Sequence, residues 1–167
     1  MKRIKHLPFY IGGLSAFAYA FAASGAMAQE PERYLCQAVG SHTPEPLGDR
    51  EHHALETEVD SCRAVEGPMA GGVMTANVMW EWDGPKAKLI AISGIVRKPG
   101  ATAAFHGLDG NVELIMSDGK VTGVTASGHN VIEVATGSAA SLQGKTVSWT
   151  AKGTGPDTFE VTGTFQQ

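Results

Sequence analysis

Nine side chains that can bind metals or trade protons crowd one short stretch: His42, Glu45, Asp49, Glu51, His52, His53, Glu56, Glu58 and Asp60. Imidazole and carboxylate together suit zinc or copper. His42, His52 and His53 are therefore the candidate metal ligands, and zinc or copper is the alternative to a protein without a cofactor. Adjacent His52 and His53 point to opposite sides of an extended chain, so both reach one ion only from a loop, and the spacing fits no H-E-x-x-H pattern. If residues 54–64 form a strand, Leu55, Thr57, Val59 and Ser61 share one face, and Glu56, Glu58, Asp60 and Cys62 share the other. Three like charges in a row repel one another. The simplest setting is a water-facing surface that keeps a sheet edge soluble; the alternative is a site for a cation or amine.

A second group is aromatic. In Met79-Trp80-Glu81-Trp82-Asp83-Gly84, strand alternation puts Trp80 and Trp82 on one face with Val78, and Glu81 on the other with Met79. Two indoles on one face can line a cavity and offer stacking or cation–π contact, or plug a barrel end and fill a core, and Trp149 and Phe105 can complete either. Phe159 and Phe165 are further aromatic candidates for the same interior. The catalytic candidates are Glu81, which needs burial beside an apolar wall to act as an acid or base, and His106 and His129. The two histidines lie beside Gly107 and Gly128, where a barrel mouth would pair them with Glu113 or Glu133. Met69, Met74 and Met79 recur every five residues, a step that flips the strand face each time, so they read as adaptable core filling rather than a copper set. There is no nucleophile elbow and no phosphate loop.

Extended segments must position these groups. Turn signals stand at Asp83-Gly84-Pro85, Lys98-Pro99-Gly100, Asp109-Gly110-Asn111, Asp118-Gly119-Lys120, Gly128-His129-Asn130, Gly137-Ser138 with Gly144, and Gly153 to Asp157. Asp-Gly between alternating apolar runs is a strong hairpin signal. Val147, Trp149 and Ala151 alternate with Thr146, Ser148 and Thr150, as in strands with one buried face. Leu89–Val96 is apolar on both parities and reads as a strand covered on both sides. Residues 138–143 alone suit a helical turn. The expectation is an all-β domain: one antiparallel meander of about 8–10 strands closing into a small barrel, with a β-sandwich as the alternative.

The amino terminus reads as an address. Lys2, Arg3 and Lys5 precede an apolar run and Ala26-Met27-Ala28, the pattern of a secretory signal peptide (residues 1–28) cut after Ala28. That predicts a periplasmic or extracellular protein. Cys36 and Cys62 are its only cysteines and are expected to form one disulfide. An acidic entry segment, residues 29–66, then precedes a glycine-punctuated barrel body, residues 67–167, with which it forms one domain. On this reading the bridge ties only the entry segment. Without the leader, ten basic residues face 17 acidic ones, a net charge of −7. This argues against nucleic acid and against docking on anionic lipid, so no membrane partner is expected after cleavage. The function expected is binding of a small apolar or amphipathic ligand by Trp80, Trp82, Phe105 and Trp149. The alternatives are a zinc- or copper-binding protein, and a cofactor-free isomerase, cyclase or lyase using a barrel-mouth histidine and carboxylate.

Overall fold

Four two-residue loops set the architecture. Gly84-Pro85, Pro99-Gly100, Asp118-Gly119 and Pro156-Asp157 each join strands that pair with each other next to the loop. Asp118 and Gly119 both have positive φ, 50° and 73°, the backbone that lets a two-residue loop match the twist of its strands. A computed structural model describes residues 31–40 and 42–166; the predicted signal peptide, residues 1–28, lies outside the described residues.

The strands are β1 (Glu32–Val39), β2 (Glu45–Pro46), β3 (His53–Glu66), β4 (Val73–Asp83), β5 (Lys86–Lys98), β6 (Ala101–Ser117), β7 (Lys120–Gly137), β8 (Thr146–Gly155) and β9 (Thr158–Phe165). Every pairing is antiparallel. From β3 to β9 each strand pairs with the next in sequence, and β1 pairs with both β9 and β3. The result is a closed eight-stranded up-and-down barrel with β2 as an extra strand, as alternation and turn spacing predict. Closure removes free sheet edges. The acidic entry segment is therefore part of the wall. It supplies β1 and β3, two of the eight staves.

One end is plugged. Met69, between β3 and β4, and Leu142, in a 3-10 turn at Ala140–Leu142 between β7 and β8, are both buried. The opposite end carries three of the two-residue loops and stays open. β1 and β2 lie along the same edge of β3, against Val59–Glu66 and Ala54–Leu55 respectively. His42 belongs to the connection between them, so the first stave is interrupted where this histidine sits.

Two expected turns are not turns. Asp109-Gly110-Asn111 and Gly128-His129-Asn130 lie within β6 and β7 and pair with each other, Asp109 with His129 and Gly110 with Gly128. The reason is packing. A Cβ at Gly128 would collide with the Asp109 carbonyl oxygen and come within 2.7 Å of Trp149 Cζ2, so glycine here admits an indole against bare backbone. β6 and β7, at 17 and 18 residues, are consequently longer than the turn signals suggest. β5 is not covered on both sides either, because Ile90 is half exposed on the outer wall.

Cys36 and Cys62 face each other across the β1–β3 pairing and form a disulfide with a Cα–Cα distance of 4.0 Å. It joins two staves that the entry segment itself supplies, so the bridge lies in the barrel wall rather than in an appendage. Such a bridge is consistent with an extracellular or periplasmic setting.

Candidate functional site

The barrel interior is hollow, with a cavity of about 790 Å³ opening at the unplugged end. Eight strands are about the number at which a barrel can hold one small ligand. Alternation sends Trp80 and Trp82 of β4, Phe105 of β6 and Trp149 of β8 inward, and all four line the cavity. Glycines make room for the aromatics: a Cβ on Gly94, which pairs with Phe105, would strike that ring.

The same alternation sends Glu56, Glu58 and Asp60 inward from β3. This overturns the water-facing reading of that row. Their neighbours Thr57, Val59 and Ser61 take the outward, more exposed positions. Each of two indoles reaches a carboxylate of β3 across the β3–β4 pairing. Trp80 Nε1 donates to Glu58 Oε1 at 2.8 Å, and Trp82 Nε1 donates to Glu56 Oε2. On the far wall Trp149 Nε1 donates to Asn130 Oδ1 at 3.1 Å. All three indole N–H groups are thus satisfied within the protein.

His42 completes the acidic wall. Its Nδ1 lies 3.2 Å from Glu56 Oε1 and its Nε2 lies 3.2 Å from Asp157 Oδ1. A ring with a carboxylate at each nitrogen donates from both only as imidazolium. Burial works against that charge, but the hydrogen bonds to Glu56 and Asp157 outweigh it, and the His42 pKa is raised. Deeper in, Asp60 is 5 % exposed, and its Oδ1 has no hydrogen-bond partner among the described residues. Burial, then the charge of Glu58, pushes its pKa up to about 7. Burial also raises Glu58, against the stabilising Trp80 hydrogen bond. Toward the plugged end, Glu32 accepts a hydrogen bond from Tyr34 Oη at 3.1 Å. Burial still carries the Glu32 carboxyl up to about 7 and raises the Tyr34 phenol.

The other candidates lie elsewhere. His42, His52 and His53 do not converge. Among the described residues, the one group of three or more potential metal ligands with donor atoms within 4.8 Å of each other is His42, Glu56 and Glu58. His52 is exposed beside Glu51. His53 is buried on the outside of the barrel between Asp49 and Glu81, with Glu81 Oε1 at 2.8 Å from its Nε2. Its hydrogen bonds to Asp49 and then Glu81 raise its pKa, and the same contact lowers that of Asp49. Glu81 therefore serves an outer-wall pair. His106 lies 3.2 Å from Glu133, and His129 lies 2.9 Å from Asp109. Both histidines lie on the outer wall, because their neighbours Phe105 and Asn130 take the inward positions. None of Glu81, His106 and His129 lines the cavity. Of the methionines Met69, Met74 and Met79, the first two line it and the third does not.

No protein family, curated protein or solved structure matches this chain.

Proposed function

We propose that the protein is an exported carrier of a small amphipathic molecule held inside the barrel, its leader removed after Ala28. The observation that carries this reading is the one-ended cavity of about 790 Å³, walled mainly by apolar side chains with aromatic rings on several staves. Its size falls in the range of small-molecule sites. A ligand burying on the order of 300 Å² of apolar surface gains roughly 7 kcal/mol before ordering costs. Polar groups on one wall set its orientation. A net charge of −7 after leader removal fits a small-molecule partner better than nucleic acid.

Titrating the purified protein with lipids, terpenoids and aromatics while following tryptophan emission tests the proposal. Binding quenches or shifts the emission of Trp80 or Trp149. Ala151→Phe, which fills cavity space from β8, weakens it at least tenfold. Emission that ignores the whole panel refutes the reading. A second reading, zinc or copper binding, is favoured by the convergence of His42, Glu56 and Glu58. Calorimetry with each metal on the parent protein and on His42→Ala tests it, and affinity unchanged by the substitution ends it.

A further inference from the structure

The interior of this barrel is chemically lopsided. One wall is a ladder of three carboxylates from a single strand, Glu56, Glu58 and Asp60; the facing walls are mainly apolar and aromatic, with Asn130 already accepting from Trp149. The basic side chains among the lining residues are His42 and Lys152. His42 is committed to Glu56 and Asp157 at the mouth, and Lys152 is exposed. Asp60, nearly fully buried and deeper than either, keeps an oxygen with no partner among the described residues. A buried acceptor without a donor is costly, and a buried carboxylate without a counter-charge more so.

We infer that the natural ligand of this cavity is a protonated primary or secondary amine with an apolar body, its N–H groups donating to Asp60 and Glu58 and its body lying among Trp80, Phe105 and Trp149. This rests on the carrier reading and adds the chemical class of the ligand. Three features select it. The unpartnered Asp60 oxygen needs a hydrogen-bond donor, which a quaternary ammonium lacks. The indole N–H groups are already spent on Glu56, Glu58 and Asn130, so Trp80 and Trp82 hold the carboxylates in place and leave ring faces for cation–π contact. The space around the ladder is apolar, so a free metal ion entering it would lose hydration that these few fixed oxygens replace only in part. An alkylammonium carries its own apolar surface into that space.

The test compares three probes of one chain length below their aggregation limits: dodecylamine, dodecan-1-ol and dodecanoate. Tryptophan emission and calorimetry read the binding, on the parent protein, on Asp60→Asn and on Glu58→Gln. Both substitutions keep the shape of the side chain, and the amide oxygen introduced by Glu58→Gln can still accept from Trp80, so at least one variant retains the fold; circular dichroism verifies this. The parent protein binds the amine at least tenfold tighter than the alcohol and binds dodecanoate weakest. In the variants the amine-to-alcohol ratio falls below three. Equal affinity for amine and alcohol in the parent protein, or a preference that survives both substitutions, overturns the inference and leaves the carrier reading standing. Zinc binding that depends on Glu58 and His42, with no preference for amine, also overturns it and assigns the ladder to a metal. If none of the three probes binds while a member of the lipid, terpenoid and aromatic panel does, the inference falls and the carrier reading stands; if nothing in either set binds, both fall.

Discussion

Burying carboxyls in the wall of a hollow barrel makes stability depend on pH in a direction opposite to that of most proteins. In the unfolded chain Asp60 titrates near 3.8, and in the barrel near 7. Glu32 moves from 4.5 to about 7. Between these values the folded state holds protons that the unfolded state has released, so stability falls as pH rises through the window from about 4 to 7 and levels off above it. From pH 5 to pH 8 each carboxyl forfeits about 2–3 kcal/mol, at 1.36 kcal/mol per pH unit. The groups around Asp60 do not cancel this. Glu58, also raised, pulls the same way, and so does His42, whose raised pKa contributes stability at low pH that is lost as pH rises past it. His53 on the outer wall acts likewise. The lowered Asp49 contributes stability that is lost only as pH falls below the usual carboxylate range, outside the window. Urea denaturation at half-unit steps from pH 5 to pH 8 is the assay. The two carboxyls together cost the parent protein about 5 kcal/mol across the range, and Asp60→Asn, which cannot ionise, removes about half of that loss. An Asp60→Asn curve parallel to the parent curve would refute the placement of this carboxyl in a desolvated wall.

Three further outcomes follow from the packing. Reducing Cys36–Cys62, whose cysteines are 26 residues apart, removes about 3.5 kcal/mol. In calorimetry that lowers the melting temperature by roughly 10–15 °C, while far-ultraviolet circular dichroism at 20 °C keeps its β signature; an unchanged melting point would contradict a stapled wall. Gly128→Ala drives a methyl group into the β6 backbone and Trp149 and costs about 2–3 kcal/mol; a neutral effect in chemical denaturation would mean that Trp149 is not seated there. Trp80→Phe removes the donor that offsets burial of Glu58, so the Glu58 carboxyl titrates at higher pH in carbon-detected NMR, and an unmoved titration would count against that hydrogen bond.

Much of this arrangement is legible in the residues. The hairpins at Gly84, Gly100, Gly119 and Asp157 follow from turn chemistry, and the shared inward face of Trp80 and Trp82 follows from alternation. The misread turns at Gly110 and Gly128 show the limit of local signals, because a glycine that admits a distant Trp149 looks the same as one that bends the chain. Parity groups Glu56, Glu58 and Asp60 correctly, but it does not say which face is inside. In a filled core Leu55 and Val59 would take the interior. A hollow barrel with a polar wall reverses that preference, and the reversal shows only once the sheet closes. The meeting of His42 with Glu56 and Asp157 depends on a break between β1 and β2 and on a hairpin 115 residues away, contacts that no spacing rule contains. The outward histidines follow from the inward demands of their neighbours, Phe105 and Asn130.

Whether the inside of the barrel is a binding site is directly measurable. Diffraction from crystals grown with 12-bromododecan-1-ol, collected at the bromine edge, addresses it without relying on the charge of the ligand. The expected result is one anomalous peak within the cavity bounded by Trp80, Phe105 and Trp149. A peak confined to the outer wall, or an interior filled by side chains with no bromine signal, would contradict it.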